Sequence, residues 1–212
     1  MKGKAKKFKL LLQIGFAISV LLAFQSTTAL KINKNSFQID SKESYYFPGG
    51  LFDNFTVQWY SKHLKTMKEP SLWRISKESK TKNEVYRFLW LRTFHHPVAV
   101  CLTVEQDGTG KLIGKMTSGA GGYAPGTLLT NKNISLTAVQ VSSFLKQLEK
   151  LKFWEMPSKD KGMGNDGAEW IIEGVKNQKY HLVDRWSPES GEFRKAALML
   201  FQFSELKVDE VY

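Results

Sequence analysis

The stretch Asp166–Pro188, DGAEWIIEGVKNQKYHLVDRWSP, gathers most of the side chains in this sequence that could do chemistry. Two strand-like runs, Ala168–Val175 and Lys179–Trp186, meet at Lys-Asn-Gln-Lys and predict a tight β-hairpin. Side chains alternate across a strand, so Glu169, Ile171, Glu173 and Val175 share one face of the first run and Trp170 and Ile172 the other. In the second run Tyr180, Leu182, Asp184 and Trp186 share a face, opposite His181, Val183 and Arg185. With a two-residue loop, Ile171 lies across from Asp184, and Glu169 and Glu173 fall diagonally about it, ~7–8 Å away. Such carboxylates could form an acid/base pair for glycoside hydrolysis or bind a cation through oxygen.

The candidate catalytic residues are therefore Glu173, Asp184 and His181, although strand parity sends His181 and Asp184 to opposite faces. Candidate binding residues are Arg185, Trp186, Tyr180 and Trp170, with Tyr180 and Trp186 suited to a sugar platform and Arg185 placed across from Trp170. The alternative reading of the same residues is a solvated sheet face and structural pairs. His95-His96 precedes Pro97 with no H-E-x-x-H and no carboxylate neighbour, so no metal and no cofactor is expected. Gly119–Gly126 lacks the G-x-x-x-x-G-K-[ST] pattern of a phosphate loop and reads as a flexible crossing loop. Gly-x-Ser-x-Gly is absent as well.

Around the hairpin, Asp53–Met67 predicts a helix with Asp53 or Asn54 as N-cap, ended by Pro70. Val57, Tyr60, Leu64 and Met67 make its stripe, widened by Phe55 and Trp59, while Lys62, Lys65 and Lys68 line its outer side. Glu84–Thr93 is apolar on both faces apart from Arg87 and Arg92 and reads as a central strand. Val98–Glu105 and Lys111–Ser118 follow it and complete a three-stranded meander. Thr137 with Gln140 forms a capping box, with Leu136 and Val141 as its staple, opening a helix that ends near Trp154. Ser187-Pro188 predicts the start of a last helix reaching Leu206, with Gly191 arguing that its regular part begins later. This order predicts an α+β domain over residues 45–208: an antiparallel sheet of about five strands, meander plus hairpin, with helices on one face.

The chain has 212 residues and a formal net charge of +11. Residues 1–29 carry five Lys and no acid; residues 30–83 carry ten Lys/Arg against five Asp/Glu; the rest is close to neutral. Lys-rich start, apolar Leu10–Phe24 and a small-residue end at Ala29 read as a secretory signal peptide over residues 1–29, or else as an N-terminal membrane anchor. Membrane contact is then confined to residues 8–29 of an uncleaved form, and residues 30–44 read as a linker. The single Cys101 excludes an internal disulfide.

The runs EVYRFLWLRTFHHPVAV, SGAGGYAPG, FWEMP and the hairpin itself resemble a set of exported bacterial proteins to which no activity is assigned. The resemblance spans Tyr45 to Leu206 and implies a single module, without catalytic residues to carry over. The expected function is an exported module, periplasmic or in the cell envelope, that binds an envelope protein or an anionic polymer without catalysis. No nucleic-acid partner is expected. The alternative is a periplasmic hydrolase of glycan or ester bonds using the hairpin carboxylates.

Overall fold

The computed structural model describes residues 45–78, 84–160, 162 and 164–212. The expected signal peptide, the 30–44 linker, and Lys80 and Lys82 of the basic 30–83 segment lie outside the described residues. The strands are β1 (Glu84–Arg92), β2 (Val98–Val104), β3 (Gly110–Thr117), β4 (Leu128–Leu136), β5 (Ala168–Lys176) and β6 (Lys179–Trp186). They form one six-stranded sheet in the order β4-β3-β2-β1-β5-β6, every pair antiparallel. The helices are α1 (Asn54–Thr66), the single turn α2 (Leu72–Ile75), α3 (Ala138–Leu151) and α4 (Gly191–Phe203), with a 3-10 turn at Phe153–Glu155. Among the described residues no helix is long and apolar enough to cross a membrane.

The α+β class and the antiparallel sheet agree with the expectation, and two details differ. β4 extends the meander by a strand, in a stretch to which the sequence pattern assigns no element. The helices also cover both sheet faces rather than one. The reason lies in β1, which is buried along almost its whole length. Tyr86, Phe88 and Trp90 join Phe144, Leu148, Phe193, Ala197 and Leu200 in the core under α3 and α4. Leu89 and Leu91 pack with Tyr60 and Leu64 of α1 and with Met67 that caps it, and Val85 with Leu72 of α2. A central strand that is apolar on both sides needs a cover on each, since a large apolar side chain gains about 1.5–3 kcal/mol from burial.

Local signals set the ends of these elements. Asp53 caps α1, its carboxylate accepting from the Thr56 amide at 2.8 Å. At α3 both halves of the capping box form between Thr137 and Gln140. α4 begins at Gly191 and not at Pro188, the later start that Gly191 argued for, because Ser187 is used by the sheet. Its amide donates to Ala168 O at 2.8 Å and its hydroxyl accepts from Ala168 N at 2.8 Å, so the hairpin continues one residue beyond β6. Packing runs on past Leu206. The Tyr212 carbonyl oxygen accepts from the indoles of Trp90 (3.2 Å) and Trp170 (3.0 Å), tying the last residues to the β1–β5 centre.

Gly119–Gly126 is a folded loop, not a loose one. Gly121 donates to Arg92 O at 2.8 Å and its own carbonyl accepts from the Trp59 indole at 2.6 Å. A Cβ on Gly121 would lie 2.5 Å from backbone atoms of Leu91 and Arg92. Gly121→Ala is accordingly expected to lower stability by ~2–3 kcal/mol and to change Trp59 emission, both readable in one fluorescence-monitored denaturation.

Candidate functional site

The hairpin turns through Asn177 and Gln178, both at positive φ, which makes a two-residue loop between Lys176 and Lys179. The register follows: Ile171 pairs with Asp184, Trp170 with Arg185 and Glu173 with Leu182. Glu169, Glu173, Asp184, Tyr180 and Trp186 thus share the face covered by α1 and α2. Trp170, His181 and Arg185 take the other face.

The three carboxylates on that face meet different fates, decided by what β1 and α1 place beside them. Glu173 pairs across β5–β1 with Arg87. Its Oε2 accepts from Arg87 Nε at 2.8 Å, and its Oε1 accepts from the Tyr180 hydroxyl at 2.8 Å. Arg87 also lies 3.5 Å from Glu69, which holds Lys115 at 2.7 Å. All four charged groups are buried. This is a neutral set of two acids and two bases that locks the α1–α2 connection to the sheet. The same burial pushes the neighbouring Cys101 thiol up to about 12, so it is an unreactive packing group.

Glu169 lies one diagonal step away, opposite Leu91 of β1, and Asp184 stands on β6 opposite Ile171; among the described residues neither carboxyl forms a salt bridge. Their carboxyls hydrogen-bond to each other and to Tyr60. The Tyr60 hydroxyl donates to Asp184 Oδ2 at 2.9 Å. Asp184 Oδ1 is buried and finds no donor among the fixed N–H and O–H groups of the described residues. Desolvation and the adjoining Asp184 charge raise Glu169 to about 9, and desolvation also raises Asp184. Two carboxyls this close cannot both ionise cheaply. At neutral pH Glu169 keeps its proton and donates it to the Asp184 carboxylate.

This acid pair lies on the wall of a cleft of ≈ 610 Å³, within the range of small-ligand sites. Phe52, Phe55, Trp59, Tyr60, Tyr123 and Trp186 supply its rings. Four sources converge there: α1 and its approach, the Gly119–Gly126 loop, the 159–165 loop and the hairpin. Trp59 is oriented by its bond to Gly121. Trp186 is fixed by close passage of Gly164 and Gly167, since a Cβ on Gly164 would stand 2.4 Å from its indole nitrogen. Phe55 and Tyr123 are 74% and 59% exposed and leave the mouth lined with open aromatic faces. Charge in the cleft is acidic. Among the described lining residues Asp53, Asp160 and Asp184 stand against one base, Lys159, whose ammonium sits 5.3 Å from the centre of the Phe52 ring, while Arg185, outside the lining, lies 3.4 Å from Asp160.

Of the residues singled out from the sequence, Asp184 and Trp186 enter the cleft. Glu173 and Tyr180 are held in the buried ion network. His181 lies on the far face against Phe153 and Trp154, its pKa lowered by burial, and cannot reach Asp184. Trp170 is fully buried, and the cation over its ring is Arg194 at 4.8 Å, not Arg185. Arg185 instead donates to Pro157 O at 2.9 Å and lies 3.4 Å from Asp160. The sequence reading missed Glu169 as the working partner, and with it Tyr60, Trp59 and Tyr123. Phe55 and Trp59, standing wide of the α1 core stripe, were the available signal. His95 and His96 are engaged apart, with Tyr212 and Gly119. Among the described residues no group of three or more His, Cys, Asp or Glu is arranged to hold a metal ion.

No protein-family model matches the chain, and no curated protein matches it significantly.

Proposed function

We propose that this chain is an exported, non-catalytic module that binds a component of the cell envelope in the aromatic cleft. The single observation that supports this most is the convergence of open aromatic rings from three separate segments on one acidic wall. Folding stability alone gives no reason to leave Phe55 and Tyr123 facing water around one cleft that Trp59 and Trp186 also line. The acid excess argues against an anionic polymer inside the cleft and favours an uncharged or cationic component with planar, ring-like parts. Lysines on the outer side of α1 offer a separate, salt-sensitive contact to anionic material.

Hydrolysis is the second reading, favoured by a protonated Glu169 beside an ionised Asp184. Mutual hydrogen bonding places these carboxyls closer than the ~5 Å or more that glycosidase pairs use. Binding is therefore the stronger reading.

The test is co-sedimentation of the full chain with purified bacterial cell-wall sacculi. Wild type is expected in the pellet at moderate salt, and Tyr123→Ala and Phe55→Ala are expected to weaken retention about tenfold or more. Both side chains are largely exposed, so folding is preserved. Equal retention of both variants, or complete loss of wild-type retention on adding salt, would overturn the cleft as the binding site.

A further inference from the structure

Resting on that reading, we infer that the cleft takes a sugar ring bearing a free primary amine, whose ammonium group binds Asp184 and Glu169 in place of their shared proton. Asp184 is 8% exposed, lines the cleft, and carries a buried Oδ1 that no fixed donor reaches. A primary ammonium brings three N–H donors and a positive charge. It can donate to Asp184 Oδ1 and to Glu169 at once, as charge-assisted bonds. A quaternary ammonium has no donor for that oxygen, and a hydroxyl brings no charge to replace the proton.

The surroundings favour a polar ring over an aliphatic arm. The space is wide, and the rings of Trp59 and Trp186 are among those that line it, a lining suited to the C–H side of a sugar. Asp53 and Asp160 stand at its edge, where they can accept from hydroxyls. Anions gain little there, since Lys159 is the single base among the described lining residues.

Exchange of ammonium for proton has a signature that simple docking lacks. On binding, Glu169 loses its proton to solvent and both carboxylates are neutralised in part by the ligand. The other charged or titratable groups facing the pair are Tyr60 from α1, Asp160 from the 159–165 loop and Arg185 from β6. Asp53 and Lys159 stand further along the wall. Tyr60 is raised above its ordinary value and Arg185 stays a cation, so neither competes for the released proton.

Calorimetry of the full chain with a glucosamine tetramer, at mildly acidic pH where the sugar amines are protonated, tests this in buffers of different ionisation enthalpy. Release of about one proton per site is expected, with binding at least ~10-fold tighter than for the N-acetylated tetramer. Glu169→Gln, which has no proton to release, is expected to abolish the buffer dependence while keeping its fold by circular dichroism. N-acetylated tetramer binding as tightly, without proton release, would overturn the amine inference and leave the glycan-binding cleft standing. A lysine-rich peptide binding with proton release where both sugars fail would overturn the sugar as occupant. No binding by any of the three would remove this inference, while sacculus co-sedimentation judges the cleft separately.

Discussion

Glu173→Ala is expected to lower stability by about 3–5 kcal/mol, among the largest losses any single substitution here would cause. The cost is not the pair's own attraction but what its removal leaves behind. Arg87 is fully buried, and one Glu173 oxygen, Oε2, accepts from two of its nitrogens. Without that carboxylate, Arg87 and Lys115 oppose Glu69 alone, a net positive charge sealed under α1 and α2. The Tyr180 hydroxyl loses its acceptor in the same step. Urea denaturation followed by tryptophan fluorescence measures the loss. The double change Arg87→Leu with Glu173→Leu is expected to recover part of it, because Glu69 and Lys115 remain a neutral pair. A double variant no better than Glu173→Ala would show that hydrogen bonds, not charge, set the cost.

Glu169→Gln is expected to do the opposite, and increasingly so as pH rises. In the unfolded chain this carboxyl titrates near its ordinary 4.5, and in the folded protein near 9. Between those values the unfolded state binds fewer protons than the folded one, so wild-type stability declines with increasing pH, by at most ~1.4 kcal/mol per unit. Asp184, also raised, adds in the same direction. Glutamine carries no ionisable group and its amide can still donate to Asp184. The variant is thus expected to be more stable than wild type by roughly 1–3 kcal/mol near pH 8, water in the cleft moderating the full effect. Near pH 4 the two should coincide. Parallel stability profiles from pH 4 to about 9 would show that the pair shares no proton.

The two glutamates show what a sequence can and cannot disclose about a site. Alternation and turn length placed Glu169, Glu173 and Asp184 on one face, and the register Ile171–Asp184 agrees. By that reasoning Glu169 and Glu173 are equivalent, each diagonal to Asp184. Their difference comes from β1, which sets Leu91 beside one and Arg87 beside the other. Pairing between strands eighty residues apart leaves no local trace. Tyr60 is likewise 124 residues from the Asp184 it bonds.

The same contrast holds across the fold. The α3 capping box was legible because every group in it lies within one turn. β4 was not, because an edge strand with polar residues on both sides has no apolar stripe to alternate. Two-sided burial of β1 was written in its residues, but a cover on each face had to be deduced from it.

The position of β1 has a consequence for the protein during its synthesis. Strands β1 to β4 are consecutive hairpins and can close as soon as they leave the ribosome. β5 and β6 are made some fifty residues later than β3, and until they arrive β1 is an open edge with Phe88, Trp90 and Leu89 uncovered on one side. A nascent chain in that state presents a β-strand apolar on both surfaces, the form most prone to join another chain. The hairpin that builds the cleft is thus also the closure that ends this hazard, and chains truncated before Ala168 are the ones a chaperone should capture.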